Sequence, residues 1–567
     1  MVTHSVPSGS EVDIDREKMR QEQRGRNGEL AIVFAVTVVV SVAAFVWYYR
    51  RGGTLLYGDA VAHLNIARRL TDARNSGWDQ VGTVWLPLPH LMAAPLVAFD
   101  WLWRTGIGGS IPSMVAYVLG VVGIYRLVRA RGSVAGASLA ATLYAFNPSM
   151  LYMQSTAMTE SIFLAAVIWS IVYLDEFVRG MFGESPRLPA WRAIERCGLC
   201  LAAAIFTRYD GWIVAFVVGL WAMFCAVRWL SMRPPQVEIG RLLRSMISFV
   251  VLLALCPTLW LAHNYKTTGH PLDWLNGPYS AKAIERRSAR PGDPPYPGKD
   301  HVVVAAQYFL KAARMNTGEG AREKWLILLA TAGVVVAAFD LRRFGTLLLL
   351  WIPLPFYAYS VAYGSVPIFV PEWWPFSYYN VRYGLELLPA IAVFVGLLPW
   401  AVSRLDRRWL TVASSVVLFG AVFLAFSSSA WCFSVRSQDR DWGRRWMIPI
   451  CYREAWANSR SRLQLENQVA QALAAIPKGS TVLMYTSDYA GAIQKAGIHF
   501  DHIISESTFI AWDAALSAPS AGADYIVAVE GDPVAAAVRG NPRGLTKLVI
   551  IHTMDKPDVT IYRGSRQ

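Results

Sequence analysis

The chain has 567 residues, of which 54% are hydrophobic and only 17% charged, with a mean hydropathy of +0.32. A soluble protein of this size needs more charge to cover its surface, so a soluble multidomain enzyme, a disordered chain, a collagen and a coiled coil are excluded for most of its length. The formal net charge of +14 fits arginines in the loops of a polytopic membrane protein, facing anionic lipid, and calls for no nucleic-acid partner.

In chain order, residues 1–28 are polar and mixed in charge, and are expected to form a disordered cytoplasmic N-terminus. The apolar run that follows is too long for a cleavable signal and reads as a signal anchor. Runs of about 18–25 apolar residues mark membrane spans. We place eleven of them, at 30–49, 110–128, 133–150, 159–178, 193–207, 211–228, 245–263, 324–341, 344–362, 383–401 and 409–430. A twelfth candidate at 86–104 contains Pro87, Pro89, Pro95, His90, Asp100 and Arg104. If it does not cross, the arginine groups Arg126/Arg129/Arg131, Arg179/Arg187/Arg192/Arg196, Arg228/Arg233/Arg241/Arg244, Arg342/Arg343 and Arg404/Arg407/Arg408 all fall on the cytoplasmic side. The outside connections 151–158 and 363–381 then carry no Lys or Arg, as the positive-inside rule requires. Residues 86–104 are therefore expected to lie along or dip into the membrane surface, within a long outer loop at 50–109. A second outer loop covers 264–323.

The expected fold is a mainly helical polytopic bundle, residues 29–430, followed by an extracytoplasmic linker and small α/β domain, residues 431–567. In that last segment we expect a helix near 462–475, a strand at 480–486, a helix near 488–496, and a strand pair around 498–505 and 524–529. No GxGxxG or P-loop supports nucleotide binding there. Of the cysteines, Cys197, Cys200, Cys225 and Cys256 lie in or beside apolar runs and read as membrane packing. Cys432 and Cys451 flank a polar segment and can pair if that side is oxidising.

Charged residues at the outer ends of spans are the candidate site. Asp59 follows Gly58 at a helix start, and His63 lies four residues on, on the same face; the plainer role for Asp59 is a helix cap. The segment 77–91, GWDQVGTVWLPLPHL, ends near His90 and reads as an aromatic interfacial anchor or the wall of a sugar- or headgroup-binding pocket. Glu160 opens a span, where an ionisable group is a functional hypothesis by default; the plainer role is a Thr159–Glu160 helix cap. FTRYDGW offers Arg208 and Asp210, HNYKTTGHPLDW offers Lys266 and His270, and YYNVRYGLELLPA offers Arg382. Arginine suits phosphate because its fork of donors matches phosphate oxygens; the alternative is a snorkelling arginine.

Taken in order and sidedness, these segments resemble the GT-C superfamily of membrane glycosyltransferases. Within it they resemble the dolichyl-phosphate-mannose protein mannosyltransferase and aminoarabinose transferase group. The resemblance covers roughly residues 30–400. It implies transfer of a sugar, with inversion, from a polyprenyl-phosphate donor to an acceptor hydroxyl on a protein, lipid or glycan. Transfer takes place at the extracytoplasmic face of the cell (inner or plasma) membrane. Asp59 matches the family's general base and Glu160 stands for the second acid, since Ala60 replaces an adjacent one. His63, His90, Arg208, Asp210, Lys266, His270 and Arg382 stand for substrate-binding groups. No cofactor is certain. Some members bind a divalent metal there, and Asp59, Glu160 and His90 offer ligand atoms without a diagnostic spacing. The family's usual HPPL-like segment appears only as Leu-Pro-Leu-Pro-His. A transporter or flippase of lipid-linked saccharide would put ionisable groups in mid-span, and a non-catalytic envelope scaffold would depend on residues 440–567 rather than on Asp59.

Overall fold

The computed structural model describes residues 9–184, 186–233, 235–289, 292–430, 448–487 and 489–565. Eight helices are long and apolar enough to cross a bilayer: Gly25–Arg50, Ile107–Arg131, Glu160–Met181, Asp210–Leu230, Gln236–Thr268, Leu341–Tyr363, Val381–Ser403 and Arg408–Ser428. The chain is thus a multi-pass membrane protein. The other three expected spans are helical but shorter, with 12 residues in Val134–Ala145, 16 in Ala190–Ile205 and 14 in Trp325–Ala338. The count of eleven full-length spans is therefore not confirmed. In the first of these the run is cut at Asn147, whose side chain caps a separate short helix, Pro148–Met153. In the second, the helix ends at Ile205, just before Thr207 and Arg208.

Residues 86–104 form two short helices, Leu88–Val97 and Asp100–Thr105. Ten helical residues rise about 15 Å, half the hydrocarbon thickness, which suits a surface segment. The first helix begins at Gly9, inside the stretch expected to be disordered. Where helices approach most closely, glycine makes room. A Cβ on Gly136 would lie 2.2 Å from the Gly396 carbonyl oxygen, and one on Gly333 would lie 2.0 Å from that of Phe394.

The ends of the bundle differ in charge. At one end, Arg131 pairs with Asp175 at 2.6 Å, Arg126 pairs with Glu176 at 2.5 Å, and Arg343 donates to the Arg131 carbonyl at 2.6 Å. At the other end, Asp59, Glu160 and Asp210 each stand in the first turn of a helix, where the helix dipole favours a carboxylate. This second end carries the candidate site.

After the spans, helix Ile450–Ala474 starts some twelve residues earlier than expected and packs back on the bundle. It leads to a five-stranded sheet of β1 (Val482–Met484), β2 (Ile503–Ile504), β3 (Tyr525–Val529), β4 (Thr546–Ile551) and β5 (Val559–Arg563), in the order β2-β1-β3-β5-β4. β1 is parallel to both β2 and β3, while β5 runs antiparallel to β3 and β4. The strands expected to pair with one another, β2 and β3, instead flank β1. The segments joining β1 to β2 and β2 to β3 contain helices, and a helical crossover returns a strand parallel. The sheet unit docks on the first long loop. Trp103 Nε1 donates to Asn65 Oδ1 at 2.9 Å, and Gln494 Nε2 donates to the Trp103 carbonyl at 2.7 Å. Cys432 lies outside the described residues, and so does its pairing with Cys451. Cys451 is buried and its thiol donates to Asn316 Oδ1 at 3.1 Å.

Candidate functional site

Two arginines and five carboxylates meet where the acid-bearing helix ends converge. Arg382 Nη2 donates to Asp59 Oδ2 at 2.7 Å and its Nε donates to Glu160 Oε1 at 3.2 Å, while Nη1 lies 3.7 Å from Glu454 Oε1. Arg208 reaches the same Glu160 oxygen at 3.4 Å and lies 3.2 Å from both Asp210 and Glu386. The Tyr357 hydroxyl accepts from Arg208 Nη2 at 2.8 Å and sits 3.1 Å from both Asp210 Oδ2 and Glu386 Oε1. The Tyr383 ring lies 5.1 Å from each guanidinium. Glu160 thus bridges the two arginines.

Exposure separates the acids. The Asp59 side chain is 43% exposed, against 1% for Glu160. Asp59 is the carboxylate a substrate can reach, whereas Glu160 is placed to hold the guanidiniums. Five carboxylates around two guanidiniums leave a formal excess of negative charge, and a buried excess of that kind needs protons on some of the acids. Burial holds the Glu454 carboxyl above its ordinary value, against Arg382, the Tyr57 hydroxyl and the backbone N–H groups of Val381 and Arg382. Those donors stand at 3.0 Å for Tyr57 and 3.2 Å for each backbone N–H.

His63 and His90 form a buried pair beside the acids, Nδ1 to Nε2 at 2.8 Å, with the Trp85 ring 4.6 Å from that of His63. Burial pushes His63 down to about 4, helped by Arg208 and Arg382 and opposed by Asp59. Burial also lowers His90, aided by His63 and Arg69. Both rings are neutral near pH 7.

Asp59, His63, His90, Glu160, Arg208, Asp210 and Arg382 are therefore gathered into one region. Lys266 and His270 are not: both are exposed around the end of helix Gln236–Thr268 and make no contact with the cluster. On that segment His263, Asn264 and Asp273 are the buried polar groups instead, and His263 accepts from Trp78 Nε1 at 3.0 Å. Of the open metal set, Asp59 Oδ2 and Glu160 Oε1 are held by guanidiniums and His90 Nε2 by His63, while Glu160 Oε2 and His90 Nδ1 are buried with no hydrogen-bond partner among the described residues. Among the described residues, donor atoms of Asp72, His499 and Asp501 do lie within 4.8 Å of one another, although Arg68 Nε already donates to Asp72 at 2.7 Å.

Four partners were missed in the sequence: Tyr57, Tyr357, Glu386 and Glu454. Glu386 had a signal, an acid inside an apolar span one helical turn after Arg382. Glu454 had none, since it lies on a polar helix remote in sequence.

No family model and no curated protein matches the chain. Solved structures do. ArnT from Cupriavidus metallidurans bound to undecaprenyl phosphate superposes with a TM-score of 0.54 at 11% identity, covering 94% of this chain and 98% of that one. The apo form of the same protein gives 0.52 at 13% identity, covering 95% and 98%. The apo Archaeoglobus fulgidus oligosaccharyltransferase gives 0.46 at 11% identity, covering 88% and 69%. The chain shares the fold of ArnT over nearly the whole length of both chains.

Proposed function

We propose that this protein is an inverting membrane glycosyltransferase that uses a polyprenyl-phosphate-linked sugar. The observation that carries the reading is Arg382 held at once by half-exposed Asp59 and buried Glu160, with Arg208 on the other side of Glu160. Further support comes from the ArnT structure, which shares the fold over nearly its whole length and is bound to undecaprenyl phosphate. A lipid-linked donor also suits the setting. Its prenyl chain stays in hydrocarbon while its phosphate reaches a cationic site at the membrane surface.

In this reading Asp59 takes the proton of the acceptor hydroxyl as the oxygen attacks the anomeric carbon. The bond from that carbon to the phosphate oxygen breaks, and its electron pair leaves with the polyprenyl phosphate. A carboxylate so placed contributes roughly 10²–10⁴-fold. Arg382 and Arg208 meet the charge that gathers on the leaving phosphate. Glu160 positions the two arginines, and the neutral His63–His90 pair lines the sugar side. The site and the unit formed by residues 431–567 face outside the cytoplasm of the cell membrane, and that unit presents the acceptor, a protein, lipid or glycan.

The test is mass spectrometry of envelope lipids and glycoproteins from a deletion strain complemented with wild type or Asp59→Asn. The proposal expects a glycoconjugate that wild type restores and Asp59→Asn does not. Restoration by both, or no missing glycoconjugate in the deletion strain, rejects it.

A further inference from the structure

Sixteen residues along the helix from Glu160 lies Glu176, about 24 Å away at 1.5 Å per residue and thus near the opposite membrane surface. Beside it is a small open cleft of about 40 Å³ lined by Arg26, Arg126, Arg129, Arg179 and Arg187, with Leu30 on its apolar side. Three of the five arginines have carboxylate partners. Arg129 pairs with Glu29 at 2.9 Å, Arg126 with Glu176 at 2.5 Å and Arg179 with Glu184 at 2.6 Å. Arg26 and Arg187 have no hydrogen-bond or ion-pair partner among the described residues, which leaves two positive charges unmatched. Arg126 Nε is also buried without an acceptor. Its guanidinium lies 5.3 Å from the Trp169 ring, which braces it on one side.

We propose that this cleft binds a phosphate-bearing group, at the end of the bundle opposite the carboxylate–arginine site. Two unmatched guanidiniums answer a phosphate's charge, and their donor forks fit its oxygens. The free Arg126 Nε–H supplies a further donor. Clusters of arginine at a membrane surface are suited to anionic headgroups, and Leu30 gives the cleft an apolar edge. Burial and the neighbouring Arg126 charge push the Arg187 pKa down, against the opposing pull of Glu176 and Glu29. The inference does not depend on the sugar-transfer reading.

The test uses the full-length protein in phosphatidylcholine nanodiscs with and without phosphatidylglycerol, with native mass spectrometry counting retained phosphatidylglycerol. A parallel arm titrates inorganic phosphate against the detergent-solubilised protein by calorimetry. Arg26→Gln/Arg187→Gln is compared with wild type and with Arg241→Gln/Arg244→Gln, which removes two arginines outside the cleft. Arg26 and Arg187 are exposed and unpaired, so their double variant is expected to keep the wild-type unfolding temperature in lipid-free detergent and to keep sugar transfer.

The cleft variant is expected to bind the phosphate-bearing probe about thirtyfold more weakly, about fivefold for each arginine near an anionic partner, while the control pair is unchanged. Retention of phosphatidylglycerol without inorganic phosphate binding assigns a lipid headgroup. Binding of inorganic phosphate at the same arginines assigns a soluble anion. Equal binding by wild type and the cleft variant in both arms, or an equal loss in the control pair, overturns the proposal.

Discussion

Replacing Arg382 by Gln removes a side chain that touches three acids, Asp59, Glu160 and Glu454. Asp59 is half exposed and returns to water at little cost. Glu160 keeps Arg208 at 3.4 Å, and Glu454 keeps the Tyr57 hydroxyl at 3.0 Å and two backbone N–H groups at 3.2 Å. Breaking a buried ion pair by removing one partner costs about 3–5 kcal/mol, and the surviving donors put this case near about 3 kcal/mol. Glu160→Gln behaves differently. Arg382 keeps Asp59 and Glu454, and Arg208 keeps Asp210 and Glu386, so no cation is orphaned and the loss is smaller than for Arg382→Gln.

The two variants also differ in pH dependence. Burial already raises Glu454 while Arg382 pulls it down; without Arg382 it rises further. A carboxyl whose folded pKa is raised binds more protons folded than unfolded, so stability falls as pH increases, by about 1.4 kcal/mol for each pKa unit gained. The unfolding midpoint of Arg382→Gln in detergent, followed by tryptophan fluorescence, should therefore approach that of wild type as pH falls from about 8 to about 5. Equal losses for Arg382→Gln and Glu160→Gln, or a gap to wild type that widens on acidification, would refute the charge accounting.

Asp59→Asn should shift the unfolding midpoint little, since exposed ion pairs contribute about 0–1 kcal/mol, while sugar transfer drops by roughly 10²–10⁴-fold; a matching loss of both would make Asp59 structural. His63, held down at about 4 against an ordinary 6.5, binds more protons unfolded than folded between those values. It should therefore cost stability as pH falls through that window, up to about 3 kcal/mol. His63→Gln should flatten that acid limb in a pH series of unfolding midpoints, and an unchanged limb contradicts a buried neutral pair. Gly136→Ala, whose Cβ would stand 2.2 Å from the Gly396 oxygen, should destabilise by about 1–3 kcal/mol; a midpoint within error of wild type would mean the two helices can part freely. Gln494→Ala removes the donor to the Trp103 carbonyl at 2.7 Å. It should speed proteolysis around the joint between the sheet unit and the first loop, as expected for about 1–3 kcal/mol left unsatisfied, and unchanged cleavage rates argue against a fixed joint.

Periodic and one-dimensional features were readable in advance. Apolar runs placed all eight helices long and apolar enough to cross a bilayer, because hydrocarbon demands about 20 apolar residues whatever the tertiary fold. Of the arginines in the expected cytoplasmic loops, Arg126, Arg129, Arg131 and Arg179 meet acids at one end of the bundle. Acids in the first turns at Asp59, Glu160 and Asp210 were visible as charges at the edges of apolar runs, so most of the cluster could be named. Other features depend on distant parts of the chain. Glu454 joins Arg382 only because helix Ile450–Ala474 folds back over the bundle. His90 meets His63 across 27 residues of loop. Lys266 and His270 looked equivalent to Arg382 in sequence, yet the helix that carries them runs on to an exposed end and leaves them in solvent. Helix length near polar breaks was overread as well, since composition around Asn147 and Arg208 does not reveal where the hydrogen-bond ladder stops. Strand order was misjudged for a related reason: β2 and β3 follow one another in sequence, but the helices between strands return them to opposite sides of β1.

The central claim is that Asp59 accepts a proton while Arg382 and Arg208 hold a lipid phosphate. The most direct measurement separates binding from turnover in purified protein reconstituted in nanodiscs. Undecaprenyl phosphate is titrated as the ligand, and release of polyprenyl phosphate from the sugar-loaded lipid is followed as the reaction. Asp59→Asn is predicted to bind undecaprenyl phosphate as wild type does and to release almost none, whereas Arg382→Gln is predicted to weaken binding itself. Release by Asp59→Asn at the wild-type rate, or undiminished binding by Arg382→Gln, would contradict the account.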